Sequence, residues 1–150
     1  MKFYFLVLFL ITISFNSKAD FQLTIDEICS DNKIASEKIK ANNISLGDFI
    51  VNYLDTNKIP FVGSKYGINT IKNSPVGDEA LIVLNDHEML AFGWCYKIDG
   101  IVSEKMPDEV VLDDSTMDVH WYYGFAHYFN GEWVSQCVEN QFITRKIFCK

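Results

Sequence analysis

The twenty residues Asp118–Cys137, DVHWYYGFAHYFNGEWVSQC, decide how this chain is read. Seven are Phe, Tyr or Trp and two are His, a density that suits a core strand, a stacking platform or a histidine site. Strand periodicity separates these readings, because successive side chains point to opposite faces. One face takes Val119, Trp121, Tyr123, Phe125 and Phe129; the other takes Asp118, His120, Tyr122 and Tyr128. The first is a core face, which Trp94 joins from another strand. The second is polar with tyrosines. Asn130-Gly131 is the dipeptide of a two-residue hairpin turn, so the chain folds back after it. His120 and His127 are seven apart and face opposite ways unless a bulge, at Gly124, brings them together. With no HxH or HExxH spacing in the chain, a metal site is not expected.

Outward from this stretch, Met89 to Ile98 reads as a strand ending at Asp99-Gly100, a second hairpin turn in which Gly100 supplies the positive φ. Ala80 to Leu84 is an apolar run before the polar turn Asn85–Glu88. Phe21 to Ile25 alternates as a half-buried strand, and Lys33 to Lys40 is placed as a second strand by topology. The helix signal is strongest in NNISLGDFIVNYL, Asn42–Leu54. Ser45 can cap, Asp48 favours the positive end, and Ile44 with Phe49 forms a hydrophobic staple. Leu46, Phe49, Ile50, Tyr53 and Leu54 make one apolar face, and Asn57 and Pro60 end the helix. Residues 60–79, rich in Gly, Ser and Asn, read as loop with short extended pieces. The tail, Gln136 to Lys150, carries Phe142, Ile143, Ile147 and Phe148. The tyrosine face is therefore either an exposed recognition surface or is covered by this tail. The order of elements predicts a two-layer α+β domain, a mixed sheet with one main helix packed on one face.

The N-terminus reads as a secretory signal peptide over 1–19: one Lys, an apolar run from Phe3 to Phe15, and small residues Ser17 and Ala19 before Asp20. The run is short of the roughly 20 residues a membrane span needs. Removing it takes away two lysines and no acid, leaving 11 basic and 20 acidic residues and a net charge of −9. So acidic a chain is not expected to bind nucleic acid or anionic membrane, which require clustered Lys and Arg. Residues 20–150 suit a single domain. All four cysteines, Cys29, Cys95, Cys137 and Cys149, lie in this part, and an even number in an exported chain predicts two disulfides. Of three possible pairings, Cys95–Cys137 with Cys29–Cys149 is favoured, because the second would tie down both ends.

Three segments resemble a known family. Ser45-Leu46-Gly47-Asp48-Phe49-Ile50 resembles its helix start after a hairpin. Gly93 to Gly100, GWCYKIDG, resembles its GWxYxxNG strand and turn. Asp114 to Gly124, DSTMDVHWYYG, is similar to its GDxxxWxYG closing strand. The family is a bacterial secreted domain of unknown function related to the C-terminal domain of transcobalamin and intrinsic factor. The resemblance covers roughly Phe21 to Phe129 and leaves 130–150 as a C-terminal extension atypical of the family. It implies a β-grasp-like fold, and a cobalamin-like ligand as the compound to consider.

Catalytic motifs are sparse. There is no G-x-S-x-G elbow and no GxGxxG loop after a strand. Asp113, Asp114 and Asp118 cluster, which admits a weak calcium site or a hydrolytic carboxylate pair, although the EF-hand spacing is missing. The expected function is an exported, secreted or periplasmic, non-enzymatic binding module with no resident cofactor. Its ligand is small or a surface glycan, met by Tyr66 in the loop Gly63–Gly67 and by Tyr122 and Tyr128. The alternative is a disulfide-stabilised interaction or inhibitor domain that takes an envelope or extracellular protein at a sheet edge. A small hydrolase ranks third.

Overall fold

The computed structural model describes residues 20–40 and 42–150; the signal peptide expected at 1–19 lies outside them. In chain order the elements are β1 (Asp20–Asp26), β2 (Lys33–Lys40), β3 (Ile44–Ser45), α1 (Leu46–Thr56), β4 (Phe61–Ser64), β5 (Gly67–Ile71), a 3₁₀ turn (Gly77–Ala80), β6 (Leu81–Asn85), β7 (Glu88–Ile98), β8 (Ile101–Val102), a second 3₁₀ turn (Pro107–Glu109), β9 (Val111–Leu112), β10 (Asp118–Phe129), β11 (Glu132–Val138) and α2 (Gln141–Phe148). The fold is mixed α+β, mostly sheet. Both dipeptide turns form as read. Asp99 and Asn130 sit at φ 51° and 50°, each followed by a glycine at positive φ, which reverses the chain from β7 into β8 and from β10 into β11.

The main sheet runs β2-β1-β10-β7-β6. Along one edge β10 pairs antiparallel with β7, from Val119 opposite Ile98 to Phe129 opposite Glu88. Its other edge is divided. β1 runs parallel to it from Gln22 opposite Asp118 to Ile25 opposite Trp121, and β11 returns antiparallel from Glu132 opposite Phe129 to Val138 opposite Phe125.

Helix α1 begins as its sequence predicts. The Ser45 hydroxyl oxygen accepts the Asp48 N–H at 3.0 Å and the hydroxyl donates to the Asp48 carboxylate at 2.7 Å. Leu46, Ile50 and Leu54 are fully buried on Phe21, Leu23, Ile25, Val119 and Trp121, on the inner face of the sheet. Each such burial contributes about 1.5–3 kcal/mol before entropy is counted. Gly47 is required by a close approach: a Cβ there would stand 1.9 Å from the Lys65 carbonyl oxygen. That contact seats the β4–β5 hairpin on the first turn of α1, giving defined structure to part of the stretch that reads as loop.

The tail supplies a second helix beyond the one expected. Asn140 caps it by accepting the Ile143 N–H at 3.1 Å. Ile143, Ile147 and Phe148 extend the inner core: the Phe148 ring lies 4.9 Å from Phe92 and 5.8 Å from Tyr123, both edge-on. Helix α2 thus covers the core face, while the start of the tail meets the tyrosine face at Tyr122, whose hydroxyl reaches the Cys137 carbonyl, and Phe142 stays exposed.

Cys29–Cys149 and Cys95–Cys137 are both formed, with Cα separations of 5.4 and 5.6 Å, and no described cysteine is free. The first holds α2 on the β1–β2 turn. Arg145 reinforces it, donating to the Ser30 carbonyl at 2.7 Å and pairing with Asp31 at 2.8 Å. Replacing Cys29 and Cys149 together by Ser is expected to cost about 2–5 kcal/mol in urea unfolding. Hydrogen exchange should show protection lost first from α2, and retention of α2 protection would contradict this role.

Candidate functional site

The outer face of the sheet is built by the even-numbered side chains of β10 and their partners on β7. Tyr122 stands opposite Cys95, Gly124 opposite Gly93, and Ala126 opposite Ala91. Two directly opposed glycines followed by two opposed alanines leave a shallow place in an otherwise bulky sheet. The result is a hollow of about 250 Å³, floored by Ala91, Gly93, Gly124 and Ala126. Trp133 and Gln136 of β11 and the Cys95–Cys137 disulfide form its walls. Trp133 is 48% exposed and its indole meets the Tyr128 ring edge-on at 5.4 Å.

The two floor glycines have different causes. A Cβ on Gly124 would meet both the Tyr122 ring and the Val138 carbonyl oxygen at 2.9 Å, so packing within the chain demands glycine there. A Cβ on Gly93 would meet nothing within 4 Å. A glycine inside a strand costs about 0.5–1 kcal/mol relative to Ala, and no packing among the described residues explains that cost at Gly93.

The three tyrosines expected at a ligand site are not brought together. Tyr122 is 1% exposed, which corrects its assignment to an open surface. Its ring covers Gly124, Lys97 Nζ lies 5.0 Å from the ring centroid, and its hydroxyl donates to the Cys137 carbonyl at 2.7 Å. Burial, with the nearby Glu139 charge, pushes the phenol up to about 12. Tyr128 is half-buried against Trp133 at the rim of the hollow. Tyr66 is 55% exposed but lies at the tip of the β4–β5 hairpin, over the start of α1 on the other side of the sheet. Trp133 is the residue the sequence reading passed over. Its signal was present, since a two-residue Asn130-Gly131 turn sets Trp133 opposite Tyr128.

Where β1 ends and β11 ends along the shared edge of β10, polar groups collect. Asp26 Oδ1 lies 2.6 Å from Lys33 Nζ and 2.9 Å from His120 Nε2, and its Oδ2 accepts from Gln141 at 2.9 Å. His120 and Lys97 are cross-strand partners, and Lys97 pairs with Glu139. Burial works against the Asp26 charge, but His120 and Lys33 outweigh it and hold the carboxyl below the usual range. Asp26, His120 and Glu139 are close enough to share an ion. Each carboxylate already has its own ammonium partner and Asp26 is 4% exposed, so the arrangement is suited to joining strands. The two histidines are indeed on opposite faces: His127 Nε2 pairs with Glu88 at 2.8 Å on the inner side. Asp113, considered for calcium or hydrolysis, accepts the Ser115 N–H at 2.8 Å and the Ser115 hydroxyl and so closes its own turn. Those bonds lower its pKa.

Comparisons with family models, with curated proteins and with solved structures find no match for this chain.

Because the Asp26 pKa is lower in the folded than in the unfolded chain, its contribution to stability is full above about pH 4 and is lost as pH falls through the folded value. Asp26→Asn should destabilise the protein by about 1–3 kcal/mol at neutral pH, and its stability should fall less steeply than that of the parent below pH ~4. Parallel acid-unfolding curves for the two proteins would refute the linkage. For the floor, Gly124→Ala should cost about 1–3 kcal/mol through overpacking. Gly93→Ala should be neutral or stabilising by up to about 1 kcal/mol. Thermal unfolding of the pair measures the contrast.

Proposed function

We propose that this chain is an exported, non-enzymatic binding module of β-grasp-like build, whose ligand is a sugar ring of a neutral surface glycan seated in the outer-face hollow. The observation that carries this reading is Gly93, a mid-strand glycine with open space above it beside an exposed tryptophan. Glycine inside a strand often marks a place where a ligand approaches the backbone closely. The hollow is mainly apolar with one side-chain amide, Gln136, on its wall. That suits a ring with an apolar face to lie on indole and a hydroxyl to meet the amide. The net charge, −7 over the full chain and −9 without the expected leader, favours a neutral ligand over an anionic one.

A β-grasp-like build is supported by the β1–β2 hairpin, the helix that follows it, and the return of β10 parallel to β1 in the middle of the sheet. Export to a secreted or periplasmic location is supported by two disulfides and the expected leader. No helix among the described residues is long and apolar enough to cross a membrane. The transcobalamin-like resemblance brings a cobalamin-like ligand into consideration. At about 250 Å³ the hollow is below the roughly 300–1,000 Å³ of pockets for drug-sized ligands, so such a molecule would lie across it. The non-enzymatic reading is supported by the state of Asp26 and Glu139, both neutralised by lysines.

Isothermal titration of the disulfide-bonded protein with a panel of neutral oligosaccharides, and separately with cobalamin, tests this. A saturable heat is expected with at least one glycan. It should be lost in Trp133→Ala and in Gly93→Leu, with the unfolding midpoint retained. No saturable heat with any glycan at up to about 10 mM would sink the proposal; saturation by cobalamin alone would replace the ligand.

A further inference from the structure

Independently of the hollow, we infer that β6 is a docking edge for an extended segment of another protein, one with alternating apolar side chains and Lys or Arg at both flanks. Among the described residues β6 is hydrogen-bonded on one side only, to β7, and ends the main sheet. Leu81, Val83 and Leu84 are 42–72% exposed, and the strand LIVLN carries no charge. An unpaired strand edge of this kind is a template for another chain, and folded proteins commonly blunt such edges with charges, bulges or cover.

The other described edges of the sheet are blunted in those ways or are too short to template a strand, as is the two-residue β8 (Ile101–Val102). β2, at the far end, is KIASEKIK, with Lys33, Glu37, Lys38 and Lys40 along it. β11 has two register shifts against β10 and is tied by Cys137. β6 has one, between Val83 and Asn85, which leaves Leu81 to Val83 in regular register.

Charge selects the occupant. Asp78 and Glu79 stand just before the strand and Asp86 just after it, all exposed, with Glu88 beyond. No Lys or Arg occurs between Lys72 and Lys97. A second copy pairing β6 to β6 in either direction would set acidic ends against acidic ends, which opposes self-association. An incoming strand with basic flanks meets the reverse: backbone hydrogen bonds along the middle, apolar contacts to Leu81 and Val83, and opposite charges at both ends.

The test uses the disulfide-bonded protein and a labelled peptide, Lys-Lys-Val-Thr-Val-Thr-Val-Lys-Lys, with a version carrying Glu in place of each Lys. Fluorescence anisotropy should show saturable binding of the Lys peptide, weakened at least about tenfold by raising salt from about 0.05 to 0.5 M and by Val83→Lys. The Glu peptide should not bind. Hydrogen exchange should report new protection in β6 and none in β2, which separates docking from a general change in folding. No saturable binding of the Lys peptide at about 1 mM, equal binding of the Glu peptide, or protection gained at β2 instead would overturn the inference. So would a dimer in sedimentation that Val83→Lys abolishes, since a second copy would then be the occupant. Retention of glycan heat in Val83→Lys alongside lost peptide binding would keep the two sites distinct.

Discussion

Strand β10 has two edges and three partners, and the rest of the molecule is arranged around that shortage. β7 takes one edge whole. β1 and β11 divide the other, one parallel and one antiparallel, so they end near each other at Tyr122–Gly124. A seam in the middle of a sheet leaves backbone and polar groups that need partners. The chain fills it with Asp26 from the end of β1, His120 from β10, Lys97 from β7 and Glu139 just past β11, and with the Tyr122 hydroxyl on the Cys137 carbonyl. The Cys95–Cys137 bond crosses from β7 to β11, pinning the end of β11 beside the seam. Carboxylates and a histidine converge here where three strands meet, each carboxylate paired with a lysine.

The two faces of the sheet are unequal. The inner one carries α1, the β4–β5 hairpin and α2, and both hydrophobic clusters lie on it. The outer one is left with small residues where β7 meets β10 and with larger apolar ones where β6 meets solvent. Covering one face thoroughly frees the other from supplying the core. The hollow at Gly93 and the edge at Leu81–Val83 are two results of that division.

What was legible in the sequence was local. Ser45, Ile44 and Phe49 announce α1 because cap and staple act within a few residues; Asp99-Gly100 and Asn130-Gly131 announce their turns through left-handed geometry at single positions. The alternation of β10 correctly placed Val119, Trp121, Tyr123 and Phe125 in the core, but Phe129, read onto the same face, lies past the core and is exposed. The fate of Tyr122 was not legible, because it depends on a residue fifteen positions later. Cys137 takes φ 51°, an unusual conformation for a residue with a side chain, and its carbonyl accepts the Tyr122 hydroxyl. Ile143 and Ile147 had helical spacing and Asn140 could cap, but a run this short gives a weak periodic signal, and its packing on Phe92 comes from far away in sequence. The Asp26–His120 contact spans 94 positions and has no local trace.

The Cys29–Cys149 bond has a further consequence, because 120 positions separate its cysteines and nearly all of the described chain lies between them. Covalently, residues 29–149 form a closed ring. A single backbone cut anywhere inside that ring leaves one molecule, its two pieces still joined through sulfur. Survival among proteases then no longer depends on an uncut backbone, and integrity becomes a matter of redox state. The same chain, nicked, would persist in an oxidising medium and fall into two in a reducing one.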